Sequence, residues 1–277
     1  MKKSKLLLIL PATCLLCSCG EPGTDFKEIK ADEASQKAKA IEEKTKSDGW
    51  KIPSKVTLTL SSSASGDVIK SGVATTANGE IKAIADFDNS YLYASFSGDY
   101  ASETEKDTKK IETWAYKEGD SFIAATSDGT NKTYTKLASE EASKKYDEML
   151  KKAMINSETV EEEMQEFVSS IELMATSSDA FNYSNNGNST NFESKFYSKN
   201  DGDLKMTTKG AVSANKQYSY NKEITYVVSN YLPAYNYVKV SGKNGGVDFS
   251  AESKMLLDWG KADTGNKPNL KDFQESK

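Results

Sequence analysis

The most informative absences in this sequence are those of histidine and arginine. All 36 basic residues of the 277-residue chain are lysine, and the formal net charge is −5. Without histidine there is no histidine-based catalytic triad, no imidazole metal ligand and no imidazole pH switch. Without arginine the chain lacks the side chain that reads phosphate and guanine bidentately. The composition therefore excludes these site types and argues against nucleic acid as a partner.

Cysteine is also scarce, and it occurs only in the first 19 residues. Three lysines near the amino terminus precede residues 6–16, which are mostly apolar, and this order is typical of a secretory signal. An apolar core of this length is too short to span a bilayer as a permanent helix. Residues 1–18 are therefore interpreted as a signal peptide.

The end of this segment, Leu-Cys-Ser-Cys at residues 16–19, has the spacing of a bacterial lipobox. Leu16 stands at −3, Ser18 at −1 and Cys19 at +1, whereas Cys17 fits the register less well. An ordinary secretory signal with incidental cysteines is the alternative. If the lipobox is used, Cys19 is the sole cysteine left after cleavage, so no internal disulfide can form. We then expect a lipid on Cys19 to anchor the protein to the outer face of the cell membrane.

After a predicted tether at residues 19–30, the chain alternates between two kinds of periodicity. A helix is predicted near residues 32–47. Apolar residues then recur at every second position between residues 55 and 137, and again between 192 and 251, which predicts two blocks of antiparallel strands. The charged stretch from Gly98 to Lys110 lacks this alternation and is predicted to be an exposed loop. Residues 257–277 are interpreted as a polar, loosely held carboxy-terminal tail.

Residues 139–176 carry the strongest helical pattern of the chain. Apolar side chains recur every three or four positions in both halves of this segment, so each half presents one apolar stripe. A turn at Ile155 and Asn156 predicts a helical hairpin. Because a stripe this wide needs a large surface to bury against, we predict an α+β fold with the helices on a mostly antiparallel sheet, in a single domain at residues 31–256.

The order of helix, strand meander, helical hairpin and second meander behind a lipobox resembles the LolA-like half-barrel family. This family includes periplasmic lipoprotein carriers and the LppX/LprG type of glycolipid-binding lipoproteins. The Leu232-Pro233 connection between two strands, at residues 224–240, is also similar to a hairpin common in the family. The resemblance implies a curved sheet, or half-barrel, with helices over its concave face and a hydrophobic space between. In contrast with the soluble carriers, this chain has a predicted lipid anchor.

If such a space exists, the hairpin would line one wall and the first strand block the other. Methionine is common at surfaces that accept varied apolar ligands, although plain core filling is the alternative. The candidate cavity residues are Met149, Met154, Met164, Phe167 and Ile171 on the helices, and Trp114 and Tyr116 on the sheet.

No catalytic residue, metal ligand or cofactor is predicted. Carboxylates such as Glu112 have no partner in the sequence pattern that would indicate acid–base catalysis, and the Asp-Gly-Asp at residues 201–203 is typical of a hairpin turn. The function expected is therefore a non-enzymatic binder or carrier of a lipid-like or hydrophobic ligand. The alternative is a surface-adhesion or envelope-scaffold lipoprotein with a filled core and no ligand.

Overall fold

The computed structural model describes residues 25–66, 75–102, 106–153, 155, 157–176, 182–185, 188–214 and 218–276. Three helices lie in this part of the chain: α1 (Ala31–Thr45), α2 (Ser139–Lys152) and α3 (Ser157–Thr176). The strands before α2 are β1 (Lys27–Ile29), β2 (Lys55–Gly66), β3 (Thr75–Asp86), β4 (Tyr91–Ala101), β5 (Lys106–Glu118), β6 (Ser121–Ser127) and β7 (Lys132–Leu137). The strands after α3 are β8 (Tyr183–Asn185), β9 (Asn188–Ser198), β10 (Leu204–Ala214), β11 (Tyr218–Ser229), β12 (Leu232–Asn244), β13 (Val247–Trp259) and β14 (Gln274–Glu275).

The strands form one large sheet in the order β1-β9-β10-β11-β12-β13-β2-β3-β4-β5-β6-β7-β14, and β8 also pairs with β9. Every described pairing is antiparallel except that of β14 with β7. The two ends of this order are different strands, so the sheet is open over the described residues. The predicted α+β class with a mostly antiparallel sheet is confirmed.

The two predicted strand blocks are joined edge to edge by β2 and β13. Val56 pairs with Trp259 at one end of this seam and Gly66 pairs with Phe249 at the other. Both strands contribute apolar side chains to one continuous core, so the two blocks form a single sheet rather than two domains.

The helices pack on one face of the sheet in two separate clusters. α2 buries Tyr146 and Leu150 against β2–β6 and the end of β13. α1 and α3 pack on each other and on β9–β11. The predicted hairpin therefore has the expected helix boundaries, but α3 runs along α1 rather than back along α2. The small side chains of Ala34 and Ala38, both fully buried, allow α1 to approach α3 closely.

Side-chain alternation assigns each strand residue to one of two faces. We call the face that carries the helices the helix side and the opposite one the outer side. On β5, Ala115 belongs to the α2 cluster and lies on the helix side, whereas Trp114 and Tyr116 lie on the outer side. Neighbouring residues of one strand therefore pack into different clusters, one on each side of the sheet.

Residues 260–276 cross the outer side of the sheet and are packed rather than loosely held. Leu270 and Phe273 lie against a cluster of buried aromatic residues on β3–β6. The Tyr91 hydroxyl donates to the Asn266 carbonyl oxygen at 2.9 Å, and β14 pairs in parallel with β7. The expectation of a loose tail was wrong because its few apolar residues meet aromatic side chains that the helices do not cover.

Two further boundaries differ from the sequence analysis. Residues 27–29, predicted as part of the tether, pair with residues 196–198 of β9 as β1. The stretch from Gly98 to Lys110, predicted as a loop, lies mostly in strands because β4 continues to Ala101 and β5 begins at Lys106. Most of its side chains are exposed, so the apolar alternation that identifies a half-buried strand is absent.

Candidate functional site

The structure divides the described members of the predicted cavity among three separate clusters. Trp114 and Tyr116 lie in the outer-side cluster beneath the carboxy-terminal tail. Met149 lies in the α2 cluster. The three α3 residues Met164, Phe167 and Ile171 lie in the α1–α3 cluster, and Met154, like Cys19, lies outside the described residues.

Trp114 and Tyr116 cannot form a wall opposite the helices, because they point to the other side of the sheet. Trp114 is 6% exposed and contacts Phe273 edge to face, with ring centroids 5.9 Å apart. The Nζ of Lys267 lies 4.9 Å from the ring centre of Tyr116. This prediction failed because alternation shows which residues share a face but not which face the helices cover.

The apolar stripe of α3 is packed rather than open. Phe167 is 2% exposed and Ile171 is fully buried. The Phe167 ring lies 5.8 Å from that of Tyr226 on β11. The stripe therefore serves as core, which is the alternative that the sequence left open for these residues.

A cleft of about 690 Å³ opens between the three helices, the connection from α1 to β2 and the turn after β3, and we call it the helix-junction cleft. Four apolar side chains line it, those of Trp50, Ile52, Phe87 and Leu150, and all four are partly or fully buried. Five charged residues also line it and are exposed at its rim: Lys51, Asp88, Asp147, Lys151 and Glu161. Thr45 and Ser54 complete the lining, so seven of its eleven residues are polar or charged. The volume lies within the range of roughly 300–1,000 Å³ that is typical of small-molecule sites.

A smaller groove of about 300 Å³ adjoins this cleft and shares Thr45 and Glu161 with it. It runs between the end of α1 and the first half of α3, and Met164 lies on its wall. Met164 is thus a predicted cavity residue that lines the groove beside the cleft. The other lining residues were missed, although Trp50 and Ile52, two large apolar residues in a short connection after a helix, were a usable signal.

One wall of the cleft is held in place by hydrogen bonds to Asp86, at the start of the turn that carries Phe87. Backbone and side-chain nitrogens of Asn89 donate to the Asp86 carboxylate at 3.2 and 2.8 Å, and the Lys55 ammonium lies 3.5 Å away. Burial by itself would raise the pKa of Asp86, but these partners outweigh it, so the pKa lies below its usual range.

The same turn is tied to α2 by Tyr146. Its hydroxyl donates to the carbonyl oxygens of Asp86 at 3.4 Å and Tyr91 at 3.1 Å. Burial raises the pKa of the Tyr146 hydroxyl, and the nearby Asp86 adds to the shift. The phenol is therefore neutral at physiological pH and fixes the distance between α2 and the turn.

Beyond the helices, the two sides of the same strands differ sharply in charge. On the outer side, five directly paired residues alternate in sign across β9–β13, and we call this row the charge ladder: Glu193, Lys209, Glu223, Lys239 and Glu252. Lys209 lies 2.7 Å from Glu223, and Lys239 lies 3.4 Å from Glu252. Each exposed charge in this row lies next to a charge of opposite sign, as is common on a surface that faces water.

Where the helices do not cover it, the helix side of these strands carries mostly small or apolar side chains. We call this part of the helix side the uncovered face. Its directly paired members on the strands from β9 to β4 are Phe192, Gly210, Lys222, Val240, Ala251, Ala64, Ala77 and Tyr100. None of them belongs to a core cluster of the described residues. Within the described part of the chain, five large hydrophobic residues are exposed, and four of them also point to the helix side: Phe96, Tyr100, Ile111 and Val247.

The described residues contain no group of three or more Asp, Glu, Cys or His side chains placed to hold a metal ion. Among the described helices, none has the length and apolar composition needed to cross a membrane.

Comparison with known proteins adds little to this geometry. No protein-family model matches the chain, and no curated protein matches it in sequence. Among solved structures, the translocator domain of the autotransporter NalP from Neisseria meningitidis matches with 10% sequence identity and a TM-score of 0.24. The match covers 82% of this chain and 95% of that one, but a TM-score this low does not establish a shared fold.

Proposed function

We propose that the protein is a lipid-anchored extracytoplasmic protein that binds an amphiphilic ligand, without enzymatic activity, in the helix-junction cleft. The observation that carries the proposal is a cleft of about 690 Å³ in which four apolar side chains are combined with a charged rim. An apolar chain or ring system would contact Trp50, Ile52 and Phe87. The polar head of the ligand would remain at the rim, near Lys51 and Lys151.

This proposal keeps the function implied by the LolA-like resemblance but places the ligand at the ends of the helices. The stripe of α3 supports the site from behind, since Met164 is shared between the core and the adjoining groove. Rim residues Asp88, Asp147 and Glu161 offset the two lysines, so a zwitterionic or weakly charged head group fits better than a strongly anionic one.

The test has two parts. Native mass spectrometry of protein purified without detergent should show a co-purifying amphiphile. Titration with a fluorescently labelled lysophosphatidylcholine, a zwitterionic amphiphile, should then give saturable binding that Ile52→Glu weakens at least tenfold, because the carboxylate would enter the apolar wall.

Leu173→Glu is the matched control, since Leu173 is an exposed apolar residue of α3 that does not line the cleft. It should bind the probe as wild type does. If Ile52→Glu also binds as wild type does, or if the wild type binds no amphiphile in either experiment, the cleft is not the ligand site.

The second candidate function is that of a surface-adhesion or envelope-scaffold lipoprotein. It is favoured by the packed α3 stripe, because Phe167 and Ile171 leave no space between this helix and the sheet. In that case the wild-type protein would carry no co-purifying ligand besides its own anchor and would not bind the probe.

A further inference from the structure

The uncovered face has the composition of a buried surface although no core cluster of the described residues includes it. Over β9–β13 its directly paired row has one charged residue, Lys222, whereas the charge ladder on the outer side of these five strands has five. Protein interfaces are depleted of charge at their centre in the same way. The contrast between two sides of one sheet therefore marks the uncovered face as a surface that becomes covered.

The shape of the face is also suited to docking, because its aromatic rings lie flat on the sheet. A Cβ at Gly210 would come within 2.2 Å of the Phe192 ring, and one at Gly98 within 2.9 Å of the Phe96 ring. Glycine at these positions allows each ring to cover the backbone instead of projecting from it. The result is a smooth surface over several strands.

We propose that the uncovered face packs against the same face of a second copy of the chain. The face extends over eight strands from β9 to β4. With strand spacings of about 4.8 Å and about five residues of each strand at about 3.4 Å, its area is about 600 Å². A pair would thus bury about 1,200 Å², which is the lower end of the range for stable, specific interfaces.

The position of the helices makes the contact between the two copies self-complementary. They cover one half of the helix side and rise above the sheet by about one helix diameter, or roughly 10 Å. Packed sheets are also separated by about 10 Å. A second sheet seated on the uncovered face would therefore meet the helices of the first copy at its end, and twofold symmetry would repeat the contact.

The symmetry of this dimer also fits a lipid anchor on each copy. This step alone rests on the proposed function, which includes the anchor. A twofold axis that runs across the strands, in the direction of the strand order, leaves both copies of β1 at the same edge of the dimer. Lys27 lies eight residues after Cys19, so the chain between them spans at most about 28 Å. Both lipid anchors would then reach the same membrane.

The experiment uses the chain from Gly20 onward, which contains every described residue and no lipid. Sedimentation equilibrium between about 1 and 100 µM should show a reversible dimer. Val240→Glu and Ala251→Lys place opposite charges on directly paired positions of the uncovered face, and each should raise the dimer dissociation constant at least tenfold.

Ser241→Glu is the matched control, because Ser241 is the next residue along β12 and lies on the outer side. It should leave the dimer unchanged, and circular dichroism and urea melts should show that all three variants fold.

A wild-type chain that stays monomeric at 100 µM, or a dimer that neither Val240→Glu nor Ala251→Lys weakens, would overturn the proposal. A monomer that floats with phosphatidylcholine vesicles and loses this binding in Val240→Glu would assign the face to a lipid surface instead. Neither result depends on the ligand of the cleft, so this proposal and the proposed function can fail separately.

Discussion

At the scale of single residues, Phe167 distinguishes a packed core from a ligand cavity. It is 2% exposed and contacts Tyr226 on β11. We expect Phe167→Ala to lower the free energy of unfolding by about 3–5 kcal/mol, because a large buried ring is lost and the site cannot fully collapse. Urea denaturation measures this loss, and Gln165→Ala, at an exposed position of α3, is the control. A loss below about 1 kcal/mol would show that the ring faces a void or solvent.

Asp86 gives the protein a pH-dependent stability with a definite sign. Its pKa is lowered in the folded state, so the carboxylate stabilises the fold above its unfolded pKa, near 3.9, and this stabilisation is lost as pH falls through the folded pKa. We expect Asp86→Asn to cost about 1–3 kcal/mol at pH 7, since charge-assisted hydrogen bonds to a buried group are weakened. The difference from wild type should shrink below about pH 4.

Urea melts from pH 2.5 to 7 check this prediction. Asp88→Asn serves as the control, because Asp88 lies two residues further along the same turn but is exposed. A constant difference between Asp86→Asn and wild type across this pH range would contradict the assignment of a stabilising carboxylate.

At the scale of elements, the carboxy-terminal tail is a cover for the outer-side aromatic cluster. Phe273 contacts Trp114 edge to face, and β14 adds a short strand beside β7. We expect Phe273→Ala to cost about 1–3 kcal/mol and to admit water to Trp114. In a chain whose other two tryptophans are replaced by phenylalanine, Trp114 emission should shift to longer wavelength. Gln274→Ala should change neither quantity, and an unshifted emission in Phe273→Ala would show that the tail is not the cover.

The sequence predicted the elements well where one side of a strand or helix is buried. The bounds of α2 and α3 and the meanders around them follow from apolar periodicity, which burial on one side produces. Strand residues such as Lys106–Lys110 were missed because they are exposed and carry no such pattern. The pairing of α3 with α1 was also missed, since an apolar stripe specifies that a helix is buried but not which partner buries it.

The candidate site was predicted less well than the fold. Trp114 and Tyr116 were assigned to the cavity, but they lie on the side of the sheet that the helices do not cover. Which side the helices cover is set by long-range packing. The cleft itself is built from the ends of elements, where Trp50 and Ile52 stand outside any periodic pattern and Phe87 is the last residue of the alternation that runs along β3. Local periodicity therefore identifies core residues more readily than residues that line a cleft between elements.

At the scale of the whole molecule, anchoring is the property that can be tested most directly. The lipobox interpretation predicts that Cys19→Ala leaves either an uncleaved precursor or a released protein, because the thiol that carries the lipid is gone. Membrane fractionation with metabolic labelling by a radioactive fatty acid measures both outcomes. If the variant still fractionates with the membrane as a processed, lipid-labelled species, Cys19 is not the anchor.

The seam between β2 and β13 has a consequence for how the chain reaches this structure. Its partners are far apart in sequence, since Val56 pairs with Trp259, and contacts of such separation slow folding. The first meander can form early, but the edge of β2 stays open until β13 arrives. An open edge is a template for pairing with other chains. The interval between the synthesis of β2 and the synthesis of β13 is therefore the period in which this protein is most exposed to misassembly, and chains that stop before Val247 would remain in that state.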